Sequence, residues 1–187
     1  MNKIKEYISI IASSIGGFLA LIMSISSGMI TKTSIPSIST KTSVTKAYKV
    51  ITDSKLVTQA KEVGLENKFL TMKVFSIILM IFAVILLVYS VVALLKQLNV
   101  IKNMDKIISI FGVVIAISFI VMSIAVLITS IQYANSIESI MSDLIKIQTA
   151  GLGKVSINIG FYQPFTLITS ILCGTLITYN EISSLKR

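Results

Sequence analysis

"IISIFGVVIAISFIVMSIAVLITSIQYANSIESIMSDLIKIQ" runs from Ile107 to Gln148 with no proline and no glycine after Gly112. From Ile107 to Ile137 it carries no charge. A bilayer core of roughly 30 Å takes about 20 apolar residues as helix. Backbone groups in lipid must bond internally, so such a run crosses as a helix. The pattern does not stop at Ile131. Ile137, Ile140, Met141, Leu144 and Ile145 recur on one helical face, with Glu138, Ser139, Ser142, Asp143 and Lys146 between them. That is an amphipathic helix continuing from a membrane span. From residue 107 to about 149 it is on the order of 65 Å long at ~1.5 Å per residue, twice the hydrocarbon thickness. It therefore projects from the membrane until Gly151 and Gly153 end it. Glu138 and Asp143 read as its solvated surface.

Three other charge-free runs flank this one: Tyr7–Thr31, Val74–Leu95 and Val155–Asn180. Gly160 and Pro164 move the start of the last helix to about Gln163, since proline suits a first helical turn. The expected spans are 7–30, 73–95, 107–131 and 163–180, with outer loops 31–72 and 132–162. The first run is too long for a usual signal-peptide core and reads as a retained span. The expected fold class is an all-α membrane protein. It has a four-helix bundle, a small extracytoplasmic α+β cap and a long projecting third helix, all in one tetraspan domain over residues 1–187.

The cap is read from two segments. "KVSINIGFY" (Lys154–Tyr162) alternates Val155, Ile157, Ile159 and Phe161 with small or polar residues, which predicts a strand. A lone strand is unstable in water. Its expected partner is "TKTSIPSISTKTS" (Thr31–Ser43), a β-branched stretch with extended character over residues 33–45. Pro36 belongs at an edge or bend, because it cannot donate to a central ladder. Leu56, Val57, Ala60 and Val63 form a helical stripe over 54–63, with Asp53 or Ser54 to start it and Gly64 to end it. A helical spacing at Val44, Tyr48 and Ile51 allows an earlier start. The expected cap contacts are Leu56, Val57, Ala60, Val63, Ile137, Ile140, Met141, Leu144, Val155, Ile157 and Ile159.

Composition agrees with the membrane class. The 187 residues are 54% hydrophobic and 13% charged, with a mean hydropathy of +0.89. The net charge of +9 does not read as a nucleic-acid footprint, since the lysines are spread along membrane-flanking segments without aromatic interleaving. Short flanks count most in orienting spans. Lys3, Lys5, Lys96, Lys102, Lys106, Lys186 and Arg187 share one side in short segments, which predicts both termini in the cytoplasm of a multi-pass cell-membrane protein.

Chemistry-bearing groups are sparse. There is no histidine, which removes the commonest general base and metal ligand. No charge lies inside the core of an expected span, where ion-coupled transport would need one. No phosphate-binding glycine loop appears. The chain reads as a non-enzyme with no catalytic, cofactor or metal site and no evident small-molecule substrate. Cys173 reads as a small buried apolar residue. Tyr7, Tyr89, Tyr162 and Tyr179, near span ends, read as interfacial anchors. Small residues four apart let helices approach closely in lipid. They are Ala12 with Gly16, Ser13 with Gly17, Gly112 with Ala116, and Ser170 with Gly174. They serve either the internal bundle or, for the doubled set of the first span, another subunit. The second span has no such pair and is read as more lipid-facing.

The order of elements resembles the claudin-type tetraspan fold. The counterparts are a first outer loop with strand (33–45) and helix (54–63), a long third helix (107–149) and a strand before the last span (155–161). The family's first-loop tryptophans and cysteine pair have no counterpart here, so no signature residue carries over. The resemblance implies lateral self-assembly or contact through the outer cap. The expected function is contact with other proteins. The chain would be a self-assembling structural protein or an accessory subunit of a membrane complex, and its partners the bilayer, further copies or other membrane subunits. The alternatives are a channel-forming oligomer lined by serine faces, or a neutral-solute transporter.

Overall fold

The computed structural model describes residues 2–35, 39–98, 100–101, 104–148 and 153–186. In chain order the elements are α1 (Asn2–Met23), β1 (Ser27–Ile35), β2 (Ser39–Lys46), α2 (Ala47–Thr52), α3 (Ser54–Glu62), α4 (Glu66–Gln97), α5 (Asp105–Gln148), β3 (Lys154–Ile159) and α6 (Tyr162–Leu185). Three helices, α4, α5 and α6, are long and apolar enough to cross a membrane. This is a predominantly helical membrane protein with a small three-stranded sheet.

The uninterrupted α5 has 44 residues, about 66 Å of helix. Its bounds agree with the reading of residues 107–149, apart from the end near 149–151, which lies outside the described residues. Pro36 also lies outside them.

The first helix is shorter than the expected span. α1 ends at Met23, and its apolar part is Tyr7–Met23. Residues 27–30, assigned to the span, instead open β1. Hydrophobicity alone does not separate a short apolar strand from helix. The deciding contacts come from far along the chain. Ala47 N–H donates to Ser26 O and Tyr48 N–H to Ser24 O, both at 3.0 Å. Ser27 Oγ accepts from Phe161 N–H at 3.0 Å. Ser26 and Ser27 thus lie past the end of α1.

The extended segment expected over 33–45 is two antiparallel strands. The sheet order is β2-β1-β3, so β1 is central, with Thr31 facing Ser43 on one side and Ile157 on the other. The expected pairing of the two distant segments is present. The expected helix at 54–63 is α3, and the earlier helical spacing forms a separate helix, α2, divided from it at Asp53. Asp53 caps α3 by accepting Lys55 N–H at 3.0 Å. The other end closes at Gly64, whose φ of +72° suits glycine. Gly64 N–H bonds to Lys61 O and Leu65 N–H to Ala60 O, the paired bonds of a Schellman C-cap.

The chain's contacts fall into two compact units. A helical unit comprises Met1–Met23, Ile78–Ile124 and Phe165–Arg187; a mixed unit comprises Ser24–Ile77 and Ala125–Pro164. In the helical unit Phe119, Leu79, Leu86, Tyr89 and Ile177 are fully buried. The second span, α4, is less buried than α6, whose apolar window is 39% buried, but no more exposed than α5. The apolar windows of α4 and α5 are equally buried, 33% each. Close approach needs a small residue on one helix only, and bulky α4 side chains fill the notches of α1 and α5.

Candidate contact site in the mixed unit

Alternation along the strands gives the sheet two faces. Met29, Thr31, Ser43, Thr45 and Ile157 share one and line a half-open cavity of about 450 Å3. Lys32, Thr42 and Ser156, one position away, share the other. Across the cavity stand Leu56, Gln59, Glu62 and Val63 of α3. Its floor is Phe69 of α4 and Tyr133, Ile137, Ile140 and Met141 of α5. The Phe69 and Tyr133 rings pack tilted, with centroids 5.3 Å apart, a contact worth about 0.5–1.5 kcal/mol beyond the area it buries. Burial pushes the Tyr133 hydroxyl up to about 12. The volume lies within the roughly 300–1,000 Å3 range of binding cavities, and the lining combines apolar walls with a few hydroxyl and amide groups.

Most residues expected to make cap contacts meet here. Leu56, Val57, Ala60, Ile137 and Ile140 pack with Met29, Val50, Leu65, Phe69, Met72 and Tyr133. Val155 and Ile157 pack with Ala134, Ile137, Met141 and Ile145. Val63 sits at the cavity edge, 38% exposed. Ile159 is half-buried opposite Met29, outside both clusters. Leu144 departs from expectation: it is 51% exposed, while the adjacent Ile145 takes the packed position against Val155 and Ile157. Leu65, Phe69 and Met72 were missed. Their i, i+4, i+7 spacing was legible, but it fell at the edge of an assumed loop.

Glu138 is not merely solvated helix surface. Its Oε2 accepts the Ile157 N–H at 2.9 Å, so a side chain of α5 occupies a donor on the outer edge of β3. Asp143 matches the solvated reading, in an exposed pair with Lys146 at 4.0 Å.

The small-residue positions pack inside the helical unit. Ala12, Ser13, Gly16, Gly17, Gly112, Ala116, Ser170 and Gly174 are all buried. A Cβ on Gly16 would stand 3.0 Å from Cys173 Cβ, and one on Gly17 would strike the Ala83 carbonyl and Leu87. Gly112 makes room for Tyr89, and Gly174 lies against Ile120 and the Ala116 carbonyl. The doubled set of α1 is thus covered by its own chain rather than free for another subunit. Tyr89 and Tyr162 are buried instead of standing as anchors, while Tyr7 and Tyr179 are exposed.

One polar cluster was missed by treating Glu181 as a flank. Glu181 is 4% exposed and lies 3.9 Å from Lys96 Nζ. Asn180 Nδ2 donates to Ser9 Oγ at 2.7 Å, and Ser109 and Ser184 share a 2.8 Å bond. The Tyr89 hydroxyl lies beside Glu181 and Ser9 without the geometry of a hydrogen bond to either. Among the described residues no group of three His, Cys, Asp or Glu side chains gathers as a metal site. Compared with models of protein families and with curated proteins, the chain matches none.

Proposed function

We propose that this chain is a four-span membrane protein of claudin-type organisation that works through protein contacts. It acts as a self-assembling structural protein or as an accessory subunit of a membrane complex. In this reading α1 is the fourth span, both termini are cytoplasmic, and the mixed unit is the extracytoplasmic cap. The observation that supports it is the half-open apolar cavity of about 450 Å3 in the mixed unit. Buried anchors in such pockets dominate binding energy at protein interfaces. An apolar side chain of the partner fills the cavity, against Phe69 and Tyr133.

The test is mild detergent extraction followed by native mass measurement, with a photo-crosslinking residue in place of Val63. The expected result is a mass above one chain and a crosslinked adduct through the cavity edge. A strictly monomeric protein with no adduct in native membranes overturns the reading.

A further inference from the structure

The contact function leaves the polar cluster of the helical unit unused. Lys96, Glu181, Ser9, Asn180 and Ser184 line one cavity of about 300 Å3. The Lys96–Glu181 separation of 3.9 Å exceeds hydrogen-bond distance. Lys96 Nζ donates instead to Ser109 Oγ at 3.0 Å and, more weakly, to the Asp105 carbonyl at 3.4 Å. Ser184 Oγ approaches Glu181 Oε2 at 3.4 Å. A buried ion pair recovers its desolvation cost through good geometry and further hydrogen bonds. Here the described contacts to the carboxylate are long, so a donor in the cavity would complete it.

We propose that this cavity holds a zwitterionic headgroup carrying a primary ammonium and a phosphate, supplied by a phospholipid of the ethanolamine class. The ammonium donates to Glu181 and the phosphate accepts from Lys96. A purely anionic headgroup meets Glu181 unfavourably, and a purely cationic group meets Lys96. A quaternary ammonium carries no N–H to donate. The lipid source is argued from α6. Leu172, Leu176 and Tyr179 recur at i, i+4 and i+7 on one helical face and are 59%, 49% and 68% exposed. Tyr179 itself lines the cavity, so the stripe forms an apolar track leading to the charged pair. An acyl chain uses that track; a free soluble zwitterion does not.

The experiment is native mass spectrometry of the full-length protein, offered phosphatidylethanolamine, phosphatidylcholine or phosphatidylglycerol in turn. Free phosphoethanolamine serves as competitor. Retention of the ethanolamine lipid is expected to exceed the other two about tenfold, the scale of one charge-assisted hydrogen bond. Glu181→Gln should remove that preference. Tyr179→Ser, at an exposed position, should weaken retention while leaving the melting temperature unchanged. Should Glu181→Gln not fold, Lys96→Gln and Tyr179→Ser carry the test. Equal retention of the ethanolamine and choline lipids overturns the proposal, as does an unchanged preference in Glu181→Gln or Lys96→Gln, or unchanged retention in Tyr179→Ser. Displacement by equimolar phosphoethanolamine overturns the lipid as the source.

Discussion

Glu138 and Glu181 are acidic residues beside apolar runs, and a sequence reads both as solvated flanks. Each instead faces a group distant in the chain: Glu138 accepts the Ile157 amide, and Glu181 lies 3.9 Å from the Lys96 ammonium. The difference has a simple cause. Periodicity reports which face a residue occupies, not which strand or helix lies against that face. Glu138 also protects the sheet, since unpaired edge amides invite pairing with other chains. Glu138→Ala leaves the Ile157 N–H without its acceptor, at a cost of about 1–3 kcal/mol. Hydrogen exchange should then quicken at Ile157 more than at the amides of α5. Glu138→Gln, which keeps a carbonyl acceptor, should lie between. Unchanged exchange at Ile157 in Glu138→Ala would mean that the bond does not protect the edge.

At the scale of elements, the strongly patterned segments were the most legible. The amphipathic continuation of α5, the alternation of β3 and the Asp53 and Gly64 stops of α3 all match. The start of β1 and the division into β1 and β2 were not legible. Met29 and Ile30 are apolar enough for a span, and the break between β1 and β2 falls inside one continuous β-branched, hydroxyl-rich run. The C-cap of α3 can be tested separately from the rest. Gly64→Ala forces a side chain into the left-handed region at roughly 1–2 kcal/mol. Faster exchange should follow in the last turn of α3, with Gly64→Asn milder because asparagine tolerates that region. Equal exchange in wild type and Gly64→Ala would show that the bonds, not the backbone angle, set the stop.

At the scale of the molecule, topology remains the decisive proposal. The natural cysteine, Cys173, is buried, so single introduced cysteines can report sidedness. With four spans, Asn2→Cys and Lys186→Cys label from the cytoplasmic face and Tyr48→Cys from the opposite face. Labelling of Asn2→Cys together with Tyr48→Cys would remove α1 from the spans. What the sequence determined by itself was the membrane class, the long helices and the pairing-prone segments. Those follow from local composition and period, because lipid and backbone geometry act on each stretch independently. Tertiary structure alone decided where α1 ends, which small residues are covered by their own chain, and that two charged residues share a cavity with Ser9. Those facts depend on which surfaces meet, and that is settled by complementary shape between residues far apart in the chain.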